Sequence, residues 1–157
     1  MINYVKQRDR FRCGPVAVIN AVKWAGGRMS YKNSIREITD QCHCVPGEGT
    51  MVVDLHKTLH KVGRRHFKSQ YISKPTFSQV DDALAQGDAV VWNYKHNRGR
   101  HYALIVGRFT DGAAFHVINY DIGPTVSTWV SRDRIQEAID AADSRNHAWI
   151  LKKVKHD

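Results

Sequence analysis

At 157 residues, with 42% hydrophobic and 25% charged positions, the chain has the balance of a soluble globular protein with one core of its own. The opening "MINYVKQRDRFR" is charged and no apolar run approaches a bilayer's width, so the expectation is a single domain over residues 1–157 with no secretion signal or membrane anchor. A formal net charge of +9 favours an anionic partner, such as nucleic acid, an acidic protein or anionic lipid, without choosing among them.

In chain order, "GPVAVINAVKWA" (14–25) is apolar nearly all round, interrupted by Asn20 and Lys23. Pro15 suits a first helical turn and Gly26-Gly27 a stop, which predicts a buried central helix. "SYKNSIREITDQC" predicts a second helix, with Ser34 and Glu37 at capping-box spacing and Ser30 as a rival N-cap. After the loop "CVPGEG", Met51, Leu55, Leu59 and Val62 recur at helical spacing, and Gly63 ends a third helix. "TFSQVDDALAQG" predicts a fourth, capped by Thr76 with Gln79 and stopped at Gly87. The pattern then turns to strands: "DAVVWNY", "HYALIVGRF", "AAFHVINY" and "TVSTWV", parted by the turn signals "HNRGR", "TDG" and "DIGP". A helix over about Arg132–Ala142 and a strand "HAWILKKV" follow. Helices first and strands afterwards predict an α+β fold, an N-terminal helical half packed on a C-terminal antiparallel sheet.

Cys13 stands directly ahead of the first helix, where unpaired N–H groups and the helix dipole favour a thiolate. Gly14 would let a substrate backbone approach the sulfur, and Arg12 would stand beside it at the cleft. A thiol nucleophile needs a base, a group to orient that base, and donors for the oxyanion. Gln7, six residues earlier, could donate its side-chain amide alongside the Cys13 N–H. His101 opens a strand after a turn, so it sits at a sheet edge. Asn119 and Asp121 share a face of the next strand by alternation, and spacing does not decide which of them orients the imidazole.

This ordered set resembles the papain-like cysteine peptidases, and more closely the bacteriocin-processing, double-glycine leader peptidases. The glutamine then cysteine-glycine of that family recurs in "QRDRFRCGP". Its glycine-threonine helix start resembles "EGTMVVDLHKTLHKVG", and its helix, strand and histidine order resembles "FSQVDDALAQGDAVVWNYKHNRGRHYALIVG". The likeness covers roughly residues 4–130. It implies Cys13 as nucleophile, His101 as base, Asn119 as the orienting third member, with Asp121 the alternative, and Gln7 in the oxyanion hole. Three positions depart from the family: Arg12 stands where Asp is common, Asn119 where the third member is Asp, and Tyr120 where Pro follows it.

The pair "CHC" at 42–44, with His56 and His60 a turn apart, lacks the usual zinc spacing, and "HKTLH" lacks the glutamate of the metallopeptidase motif. These are read as partly exposed surface residues, with no metal and no cofactor expected. Three cysteines, two of them one residue apart, are not a disulfide framework, which predicts reduced thiols in the cytoplasm. The resulting expectation is an amide-bond hydrolase or transferase acting on a peptide or protein, an acidic one given the charge. Its size suits a phage or bacterial protein. The alternative is a non-catalytic basic module that binds nucleic acid or an acidic protein.

Overall fold

The computed structural model describes residues 2–96, 99–120, 125–140 and 146–155. Helix α1 (Cys13–Trp24) runs through the interior: every residue but Lys23 is buried, and Lys23 Nζ reaches the Met29 carbonyl at 3.2 Å. Gly26 closes it at φ +91°, a conformation without penalty only for glycine. Helix α2 (Tyr31–Gln41) is capped by Ser30, whose hydroxyl accepts the Asn33 N–H at 3.3 Å. Ser34 therefore lies inside the helix, one turn past the true cap. Helix α3 (Val52–Gly63) follows the loop, and helix α4 (Phe77–Ala85) carries the expected capping box between Thr76 and Gln79. That reciprocal pair satisfies two otherwise orphaned donors, a contribution of about 1 kcal/mol.

Six strands form one antiparallel sheet: β1 (Phe67–Ser73), β2 (Ala89–His96), β3 (Gly99–Arg108), β4 (Ala114–Ile118), β5 (Ser127–Ser131) and β6 (His147–Lys153), in the order β1-β6-β2-β3-β4-β5. Helix α5 (Arg132–Asp140) intervenes before β6. β1 was not foreseen. It is an edge strand, and of its seven residues only Phe67 is buried, so its sequence lacks a clean alternation.

Alternation divides the sheet's side chains between two cores. Val91, Tyr102, Leu104, Ile118, Trp149 and Leu151 pack with α1, α2 and α3. Val90, Trp92, Ala103, Ile105, Phe115 and Val117 pack with α4 and α5 on the other face. The α+β class is as expected, but the sheet lies between two helical layers instead of under one. Apolar residues on both faces of β2 and β3 require this second cover.

Candidate active site

Three segments meet at the start of α1. The first is the chain leading into it. Asn20 on α1 accepts the Val5 N–H at 2.7 Å and donates to the Val5 carbonyl at 2.9 Å, while Asn119 Nδ2 donates to the same carbonyl at 2.8 Å. The Gln7 N–H then donates to Asn119 Oδ1 at 3.0 Å. Asp9 shapes the turn into the helix: its carboxylate accepts the N–H groups of Phe11 and Arg12, at 3.1 and 2.9 Å, and Arg12 Nη1 at 2.9 Å. Arg12 occupies the N-cap position without capping, so Asp9 orders the turn in its place.

The second segment is the loop between α2 and α3, drawn tight by a Val45–Gly49 bridge. Its last residue before Met51 is Thr50, which lies against Gly14. A Cβ at Gly14 would stand 2.7 Å from Thr50 Oγ1 and 2.9 Å from Thr50 Cβ. Thr50 therefore fills the space on the Cβ side of Gly14.

The third segment is the start of β3. Among the described residues, β4 pairs β3 no further than Ile118 opposite Leu104, short of His101 and Tyr102. Cys13 and Tyr102 line one cleft, and the main chain at Tyr102 and at Gly14 favours the ionised form of the Cys13 sulfur. The Tyr102 hydroxyl donates to the Thr50 carbonyl at 2.9 Å, which joins this segment to the second. His101 immediately precedes Tyr102. It is buried, edge-on to the Tyr94 ring, with Nε2 2.6 Å from the main-chain carbonyl of Asn119. A carbonyl only accepts, so Nε2 carries the hydrogen and the neutral ring is basic at Nδ1.

Asn119 itself leaves the strand. Its φ is +56°, a left-handed conformation that asparagine tolerates better than most residues. Strand alternation thus stops before it and cannot set its facing. The amide holds the Val5–Gln7 segment and the main-chain carbonyl holds His101. Asp121 lies outside the described residues.

The electrostatics oppose a resting thiolate. Burial pushes the Cys13 thiol up from 9.0 to about 11, against the main chain at Tyr102 and Gly14, which favours its ionised form. Desolvation outweighs the benefit expected from the helix N-terminus. Cys42 and Cys44 are also buried, not surface residues: Cys42 is pushed up to about 12, and Cys44 Sγ donates to the Phe11 carbonyl at 3.1 Å. His56 Nδ1 accepts from Trp149 Nε1 at 3.1 Å, a structural use of the ring. Among the described residues no three metal-ligating side chains gather.

A cleft of about 720 Å³ opens in front of Cys13, which is 7% exposed. Gln7, Gly14, Arg12 and His101 are not part of its wall. Gln7 is buried, with Nε2 donating to the Asp9 carbonyl at 2.6 Å. Arg12 is turned to Asp9 and to the Phe11 ring, so the cleft's guanidinium groups are those of Arg10 and Arg100. Sequence reasoning missed Asp9, Asn20 and Tyr102. Thr50 was marked only by the glycine-threonine pair of the family resemblance.

No family model and no curated protein matches the sequence. Solved structures do match it. A double-glycine-motif protease from an AMS/PCAT transporter, solved with its leader peptide, superposes with a TM-score of 0.66 at 10% identity over 98% of this chain and 93% of that one. A protein described as a C39-like peptidase from Bacillus anthracis gives 0.66 at 10% identity over 98% and 96%. The peptidase domain of Streptococcus mutans ComA gives 0.56 at 18% identity over 94% and 97%. At these identities the likeness is one of fold, and the chain shares the α+β fold of the double-glycine and C39-like peptidase domains.

Proposed function

We propose that residues 1–157 form one papain-like domain that hydrolyses peptide amide bonds through Cys13. The observation that carries this reading is that Cys13 and Tyr102, the residue after His101, line one cleft. Ionising a lone thiol of pKa about 11 at pH 7 costs about 5 kcal/mol, so the proton must leave as the sulfur attacks. His101 Nδ1 takes it, and the Asn119 carbonyl steadies the imidazolium through Nε2–H. The new S–C bond turns the substrate carbonyl into an oxyanion, met by the Cys13 N–H and by the second Nε2 hydrogen of Gln7. His101 then returns the proton to the leaving amine as the C–N bond breaks. Water, deprotonated by the same nitrogen, releases the acyl group; an amine in its place would give transfer.

A peptide substrate is supported by the fold neighbour solved with a leader peptide, and the +9 charge favours an acidic one. No helix among the described residues is long and apolar enough to cross a membrane, and the three cysteines are free, which suits a reducing cytoplasm. The burial of Cys13 is also what a non-catalytic basic module would show, binding nucleic acid or an acidic protein through its charge.

Acid-quenched mixtures of the protein with peptide thioesters and esters, analysed by mass spectrometry, separate the two. The peptidase reading expects an acyl adduct on Cys13 alone, absent in Cys13→Ala and slowed at least about a hundredfold in His101→Ala. Equal modification of all three cysteines, or adduct formation indifferent to His101→Ala, would overturn it.

A further inference from the structure

The wall of the cleft is not uniform. Phe11, Met51, Val52 and Val53 are its apolar members, and Met51 and Val53 are 65% and 54% exposed, a costly display unless something covers them. Among the described residues of the wall, Arg10 and Arg100 carry positive charge and Glu48 the one carboxylate. Arg100 is held in place: its Nε and Nη2 both donate to Oδ1 of the buried Asn93, at 3.0 and 2.8 Å. A guanidinium fixed by a buried amide gives up little side-chain freedom when an anion arrives. Its charge is felt within the cleft, where, after burial, it is the second cause lowering the pKa of His147.

We infer that Arg10 and Arg100 are specificity-determining residues that select, beside Cys13, a peptide segment carrying both acidic and apolar side chains. Its carboxylates meet the two arginines while its apolar side chains cover Met51 and Val53. This rests on the peptidase reading for the use of the cleft, and it adds the composition of what enters. Single-stranded nucleic acid fits the cleft less well, because the rings that line it are already engaged: Tyr102 is buried in the core, His147 is stacked on Tyr71, and Arg12 lies over Phe11.

The test uses the full chain carrying Cys13→Ala, in 150 mM salt, with two fluorescein-labelled decapeptides read by anisotropy. One alternates Leu and Glu, the other Leu and Gln. The Glu peptide is expected to bind about tenfold more tightly, Arg10→Gln and Arg100→Gln each to cut that ratio about threefold, and the double variant to abolish it. Arg64→Gln with Arg65→Gln, on the exposed surface after α3, should leave the ratio unchanged. Equal binding of the two peptides, a ratio that survives the double variant or falls with the Arg64 and Arg65 pair, or displacement of both peptides by oligo-dT, would overturn the inference. Cleavage by the unsubstituted chain is scored separately. A Glu preference without cleavage keeps the inference and sinks the peptidase reading; cleavage without preference does the reverse.

Discussion

Gln7 and Asn119, 112 positions apart, are joined by a 3.0 Å hydrogen bond from the main-chain N–H of Gln7 to Asn119 Oδ1. The same asparagine holds His101 through its main-chain carbonyl. One residue thus ties the segment ahead of the nucleophile to the proposed base. Asn119→Ala removes two buried hydrogen bonds and puts alanine at φ +56°, an expected loss of about 2–3 kcal/mol, or roughly 5–10 °C in Tm by calorimetry. Because the carbonyl remains, kcat should fall by less than about tenfold. A hundredfold fall in a folded variant would assign the orienting role to the amide.

The buried thiols set an alkaline limit on stability. In the unfolded chain they ionise near 9.0; in the folded chain Cys13 and Cys42 hold their protons to about 11 and about 12. Above pH 9 the unfolded state binds fewer protons than the folded one, so stability falls as pH rises from 9 through 12 and is unaffected by these groups below 9. Urea unfolding midpoints at pH 8, 9, 10 and 11 should decline only over the last steps, and Cys42→Ala should flatten part of the slope. A constant midpoint across the series would contradict the buried assignment.

The same burial governs reactivity. Iodoacetamide should modify Cys13 slowly at pH 7, with a rate rising about tenfold per pH unit toward 10, as expected of a neutral thiol. A plateau near neutral pH that disappears in His101→Ala would instead show a preformed thiolate–imidazolium pair.

Gly14 is required by packing. Gly14→Ala drives a methyl group against Thr50 Oγ1 and Cβ, both parts of a short buried side chain that cannot swing away. The expected cost is about 2 kcal/mol, roughly 5 °C in Tm. Thr50→Gly in the same chain should restore part of it, whereas additive losses would show that the two positions do not touch.

Asp9→Ala leaves the Phe11 and Arg12 N–H groups without their acceptor and frees Arg12 from its ion pair. The turn that delivers Cys13 should loosen at a cost of about 1–2 kcal/mol, and acyl-adduct formation should slow while peptide binding to the Cys13→Ala form is kept. Asp9→Asn keeps Oδ1 as an acceptor and should recover most of the loss.

What the sequence determined by itself is what short-range physics controls. The unbroken apolar run of α1 could only be buried, Thr76 with Gln79 could satisfy each other within one turn, and Gly26 and Gly87 could stop helices because a left-handed residue is needed there. The order of Gln7, Cys13, His101 and Asn119, with the motifs around them, resembled a family of peptidase domains, and the solved neighbours share that fold. Tertiary structure decided the rest, because each remaining feature depends on groups distant in the chain. β1 is a strand because β6 pairs with it along its whole length, not because of its own pattern. Thr50 reached Gly14, and Val5 reached Asn20 and Asn119, through contacts that no local spacing encodes. The upward push on the thiol's pKa followed from desolvation, which is a property of everything packed around the sulfur.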